Sequence, residues 1–150
     1  MMDAPRTTAQ RKANTLARLG SDVDCWVTSA SAGGDAYLIP LSFVWHRGQI
    51  VMATLAASLT VRNLQRAGHC RVALDGTRDV VLIEGPIEII ATAAIAADIA
   101  AAFNAAAGFD PHRSAQDYVY ILVVPRQLRA WREENELAGR EIMRDGEWLA

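Results

Sequence analysis

The strongest constraint on this chain is a succession of short β-forming runs, most of them joined by tight turns. "DCWVTSA" (24–30), "AYLIPLSFVWH" (36–46) and "QIVMAT" (49–54) are separated by "SAGGD" and by "HRGQ", a hairpin turn around Gly48. "CRVAL" (70–74) and "DVVLIEGPIEII" (79–90) flank "DGT", and "DYVYILVVP" (117–125) follows later. "QLRAW" (127–131) and "REIMR" (140–144) read as further strands, and "RDGEW" as a turn before Trp148. Such turns can join only antiparallel neighbours. Roughly seven short strands of this kind predict a mainly β, antiparallel barrel with helices attached. Pro40 places its part of the second run at an edge or bulge, and Gly85–Pro86 predicts a kink.

Two segments have helical periodicity. Residues 7–19 form an amphipathic pattern that Thr7 or Thr8 can cap and Gly20 can stop. Residues 92–109 predict one long helix, capped by Thr92 and ended by Gly108, with Ile95, Ile99 and Phe103 on one face. No repeat or linker interrupts the chain, so 1–150 reads as one domain. Runs such as "VVLI" and "YILVV" are apolar on both faces. A barrel interior accounts for one face, and a single long helix cannot cover the rest. A homodimer interface is the natural inference.

Composition removes several functions. The chain is 51% hydrophobic with a net charge of −2, which gives nonspecific nucleic-acid binding no electrostatic support. No apolar run is long enough for a membrane span, and the N-terminus has no apolar h-region. A cytoplasmic location is expected, with Cys25 and Cys70 as buried reduced thiols. His46, His69 and His112 have no metal-type spacing, so no metal ligands are read. His46, beside a turn, is expected to be exposed, and Glu133–Glu134 to be solvated. No side-chain set reads as a catalytic nucleophile or acid–base pair, so an enzyme of this kind needs a cofactor to carry the reaction.

One stretch departs from plain hairpins: "ATLAASLTVRNLQRAGHCRVAL" (53–74) places a hydroxyl-rich loop and a helix start between two strands. Ser58 is a good N-cap for a helix beginning near Leu59. The amides of Leu59, Thr60 and Val61 would then face the loop, with the positive helix end behind them and the Thr60 hydroxyl and Arg62 beside them. That is a phosphate cradle, although a capped connection that binds nothing has the same residues. In "PLSFVW" (40–45), Ser42 reads either as a contact to a flat heteroaromatic ring or as an ordinary outward strand residue. Trp131 and Arg140 read either as ligand contacts at a subunit seam or as a packed aromatic and a solvated arginine.

In order along the chain, "PLSFVWHRGQIVMATLAASLTVRNLQRAGHCRVAL", "RDVVLIEGPIEI", "VVPRQLRAW" and "GREIMRDGEWL" resemble the pyridoxamine 5′-phosphate oxidase-like group of split β-barrel flavoproteins. This group includes the flavin/deazaflavin-dependent oxidoreductases. The resemblance spans roughly residues 24–149. It implies an antiparallel split barrel, a homodimer with two equivalent sites, and FMN, or alternatively F420, as cofactor. Carried over by position, Leu41, Ser42 and Phe43 lie along the ring. Ala53, Thr54, Ser58, Thr60, Arg62 and Asn63 follow its edge and phosphate arm. Trp131 and Arg140 come from the partner chain.

Two departures qualify the resemblance. Oxidase members carry an Arg-Lys pair after the serine, where this chain has Leu59–Thr60. They also hold their substrate's phosphate with an Arg and a His where this chain has the acidic "REENELAG". The expected function is therefore an FMN- or F420-dependent oxidoreductase of small organic molecules, and not a vitamin B6 oxidase. A cofactor-binding carrier without turnover, or an interaction protein on the same barrel, has the same residues.

Overall fold

The computed structural model describes residues 2–150. In chain order the elements are α1 (Thr8–Ser21), β1 (Asp24–Ala30), β2 (Ala36–His46), β3 (Gln49–Leu55), α2 (Leu59–Ala67), β4 (His69–Leu74) and β5 (Val80–Ala91). Then come α3 (Ala97–Ala107), β6 (Tyr118–Val123), β7 (Gln127–Trp131), β8 (Glu141–Arg144) and β9 (Glu147–Trp148). Strands β4-β1-β2-β3-β6-β5 form a closed antiparallel ring of six, sealed by the β4–β5 pairing. Strands β7, β8 and β9 extend from β5 as a flap.

Strand β5 makes this division. Its residues 82–86 pair with β4 on one edge. On the other edge, residues 80–84 pair with β7 and residues 87–91 with β6. The kink expected at Gly85–Pro86 is thus a change of neighbour within a continuous strand. A Cβ on Gly85 would stand 1.8 Å from the Val124 carbonyl oxygen, so only glycine fits. The flanking bonds, Val124 N–H to Pro86 O at 3.0 Å and Arg126 N–H to Glu84 O at 2.8 Å, fix the step from β6 to β7.

The period of two explains why strands apolar on both faces are satisfied. Ile50, Met52, Ile121 and Val123 point into the barrel core with Phe43, Val72, Ile83 and Leu128. Their neighbours Val51, Ala53, Tyr120 and Leu122 point outward and are covered by Phe103 and Ala100 of α3. Phe103 meets Tyr120 edge-to-face at 5.7 Å. The two cysteines are buried and free, and burial pushes both thiols up to about 12.

The segment expected as one helix over 92–109 is divided. Thr92–Ala94 is a 3₁₀ turn, and α3 starts after Ala96 with no side-chain cap. Thr92 is therefore not the cap; its carbonyl lies 2.7 Å from His112 Nε2. Residues 93–96 are Ala, Ala, Ile and Ala, which offer no capping oxygen. The start is marked instead by Asp98 in the first turn, whose Oδ2 is 2.9 Å from His46 Nε2 and 3.3 Å from Arg47 Nη1. His46 is accordingly half-buried and paired, not exposed. Helix α1 has the expected Thr7 cap, as a capping box with Gln10, and runs through Gly20 to Ser21.

Helix α1 is fastened to the flap by two arginines. Glu136, only 4% exposed, accepts from Arg6 Nε at 2.9 Å, Arg6 Nη2 at 2.8 Å and the Arg132 amide at 2.8 Å. Arg11, equally buried, donates to the carbonyls of Glu136 at 3.0 Å and Gly139 at 2.8 Å. The hydrogen bonds from Arg6 hold the Glu136 carboxyl down at about 2.

Gly85→Ala should destabilise the protein by about 3 kcal/mol or more, because the backbone must part to admit the methyl group. A denaturant midpoint equal to the parent's would contradict that close approach. Because Glu136 titrates lower in the folded state, its contribution is complete above the ordinary carboxylate range. It is lost as the pH falls from about 4.5 towards 2. It amounts to roughly 3 kcal/mol. Glu136→Gln should cost about that much at neutral pH, and the gap to the parent should close at acid pH. A gap independent of pH would remove the carboxylate from this role.

Candidate functional site

Strands β2 and β3 pair from His46↔Gln49 to Phe43↔Met52 and then separate. Beyond that point β2 is held by β1 and β3 by β6, leaving two facing edges unpaired. The Phe43 amide donates to Val23 O at 2.8 Å. Strand alternation therefore turns the Ser42 amide to the open edge. Pro40, two residues earlier, has its missing N–H on that same edge, so the sheet loses no bond there.

The fork opens onto a cleft of about 590 Å³. Leu41, Ser42, Ala53 and Thr54 line it, with Asp24, Pro40 and Leu55 beside them. Phe103 and Ala107 of α3, with Phe109 and Tyr118, make the far wall. The Phe109 and Tyr118 rings lie 5.1 Å apart. Ser42 Oγ donates to Asp24 Oδ1 at 2.9 Å across the β1–β2 register pair. Leu55 also belongs to a second depression of about 450 Å³, lined by Ala56, Ala57, Gln116 and Asp117. The trough thus continues to the residue before Ser58.

At its end, Ser58 caps α2 by accepting from the Val61 amide at 3.3 Å. The first-turn amides of Leu59 and Thr60 have no helical acceptor, as at any helix start. Thr60 is 1% exposed, and its hydroxyl is buried with no hydrogen-bond partner. Arg62 is exposed and forms no ion pair among the described residues, whereas Arg66 is tied to the Ala30 carbonyl. Asn63 is buried, its Nδ2 donating to Ser29 Oγ at 3.1 Å.

The structure therefore gathers Leu41, Ser42, Ala53 and Thr54 into one cleft and puts Ser58, Thr60 and Arg62 on the first turn of α2 and its cap. Phe43 sits in the core with no exposure. Trp131 and Arg140 lie on the flap, the guanidinium 5.7 Å from the ring centroid, and neither lines the cleft of this chain. Sequence reasoning missed Asp24, Phe109 and Tyr118. The pairing of Asp24 with Ser42 needs the β1–β2 register, and the aromatic pair needs the path of the chain between α3 and β6.

The donor set fits a flat heterocycle with an anionic tail. Unpaired strand edges offer hydrogen bonds in one plane, and the helix start offers two amides, an orphaned hydroxyl and one uncommitted arginine. Asp117 is a carboxylate in the trough that these donors must outweigh.

A search of curated proteins finds no match. Several solved structures share the fold. An F420 reductase is 14% identical, with 75% of this chain and 93% of that one covered at a TM-score of 0.62. General stress protein 26 from Bacillus anthracis is 15% identical, with 81% and 95% covered at 0.66. A pyridoxamine 5′-phosphate oxidase-related, FMN binding protein from Nostoc punctiforme is 14% identical, with 83% and 80% covered at 0.52. The family model described as pyridoxamine 5′-phosphate oxidase matches residues 15–132. With its split barrel and the cleft between its second and third strands, this chain belongs to the pyridoxamine 5′-phosphate oxidase family.

Proposed function

We propose that this protein is an oxidoreductase that binds FMN, or F420, in the fork between β2 and β3 and acts on a small organic molecule. The observation that carries the reading is the fork itself: two unpaired strand edges leading along one trough to the free start of α2. Neighbours of the same fold named an F420 reductase and an FMN binding protein support it. Bound there, the cofactor supplies two-electron hydride chemistry.

The residues of this chain bind and orient. The edges at 41–42 and 53–54 hold the ring flat, and the walls from α3 and Tyr118 exclude water. Thr60, Arg62 and the amides of Leu59 and Thr60 hold the tail. No side chain of the cleft has to move a proton, so none is assigned a catalytic role. The exposed apolar side chains of Trp26, Tyr37 and Leu38 on β1 and β2 support a homodimer. The partner would bring Trp131 and Arg140 to the site. Oxidation of vitamin B6 phosphates does not suit this chain. In "REENELAG" the Glu136 carboxylate is consumed by Arg6, and Glu133 and Glu134 are exposed and acidic.

Titration with FMN and with F420, followed by tryptophan quenching, should give saturable binding of one of them below tens of micromolar. Binding of neither would end the proposal. Reoxidation of the reduced, loaded protein by an acceptor panel should distinguish an enzyme from a carrier without turnover.

Arg62→Ala should weaken binding by about tenfold or more, the worth of a charge-assisted hydrogen bond, and Arg66→Ala much less. Thr60→Val should raise the melting temperature by a few degrees, since it removes a buried unpaired hydroxyl of the same shape, and should weaken binding. A rise in melting temperature with unchanged affinity would take Thr60 out of the cradle.

A further inference from the structure

We propose that Asp24 is the specificity-determining residue at the mouth of the cleft, beside the space the cofactor ring would fill, and that the molecule it selects there is a flat aromatic cation, with the anionic analogue excluded. The proposal rests on the oxidoreductase reading for the role of the cleft, but not for the charge of its walls.

Asp24, an exposed residue, opens β1 beside Ser42, whose hydroxyl donates to Oδ1 at 2.9 Å. Its other oxygen accepts no hydrogen bond, and no cation lies within ion-pairing distance of it among the described residues. Asp24 lines two cavities at once. One is the 590 Å³ cleft, whose lining also includes Tyr118 and Phe109. The other is a recess of about 180 Å³ formed with Cys25, Trp26, Pro40 and Asp75. There the Trp26 side chain, 40% exposed, lies in the same recess as two carboxylates. Neither cavity has a lysine, arginine or histidine in its wall. The nearby Arg18 is committed: its Nη2 donates to the Asp75 backbone carbonyl at 2.6 Å and pairs with Asp22 at 3.3 Å.

An entering anion would meet Asp24, and Asp75 beyond it, with no basic side chain in either wall. A planar cation gains the free carboxylate oxygen and an aromatic face together, the combination that recognises organic cations. A neutral ring gains only the aromatic wall.

The test uses three quinolines of one shape: N-methylquinolinium-3-carboxamide, quinoline-3-carboxamide and quinoline-3-carboxylate. Their affinities are measured by calorimetry on the cofactor-loaded protein and by tryptophan fluorescence on the cofactor-free chain. At low salt the cation should bind about tenfold or more tighter than the carboxylate, with the neutral ring between them, and added salt should compress the range. Asp24→Asn keeps an acceptor for Ser42 and should bring cation and anion to within about threefold while leaving the neutral ring unchanged. Ser42→Ala removes the hydrogen bond but not the charge, and should keep the ranking. Equal affinities in the parent, or a ranking that survives Asp24→Asn, would overturn the proposal. A chain that ranks the probes by charge yet binds neither FMN nor F420 would overturn the function reading and leave this one. A chain that binds cofactor without ranking the probes would do the reverse.

Discussion

The contact between the bare Cα of Gly85 and the Val124 carbonyl organises the rest of the molecule. With nothing larger than hydrogen at 85, the chain leaving β6 can cross tight against β5 and re-pair with it as β7. One strand then serves three neighbours, and the sheet divides into a closed barrel and a projecting flap. Pro86 belongs to the same device, since it offers a carbonyl to Val124 and no competing N–H. The barrel could close without the flap, but Trp131 and Arg140 would then have no element to carry them.

The flap is held by its apolar face, with Leu128, Ala130, Ile142 and Met143 in the core, and by charge at its outer end. Arg6 and Arg11, from the segment that leads into and begins α1, reach Glu136 and the carbonyls around it, and so connect the two ends of the sequence. A buried ion pair of this kind is costly to break because each partner is left desolvated.

Much of the barrel was legible because its signals are local. Strand runs, tight turns and the caps at Thr7, Ser58 and Gly108 each depend on residues within one or two turns. The division of the 92–109 helix was not, since its start is set by Asp98 meeting His46 and Arg47 from a distant hairpin. Glu136 read as one more acid in a polar loop because its partner lies 130 residues away. At the cleft, the hydroxyls and the helix start stood out, being polar residues at element ends. Asp24, Phe109 and Tyr118 did not, because strand register and packing alone bring them beside Ser42 and Thr54.

The chain replaces charge by geometry at the helix start. With leucine and threonine after the capping serine, an anionic tail would be met by main-chain donors, one hydroxyl already paid for in buried form, and a single arginine. The buried, unpartnered Thr60 hydroxyl costs stability in the free protein. Preorganised neutral donors of this kind depend on exact placement, whereas a lysine attracts phosphate from any direction. Asp117, in the depression next to Ser58, and Asp24, in the cleft, sharpen the requirement, since an anion has to be held against a carboxylate in each. The two ends thus differ in their other groups: main-chain donors and one arginine beside Asp117 at the α2 end, aromatic faces beside Asp24 at the other.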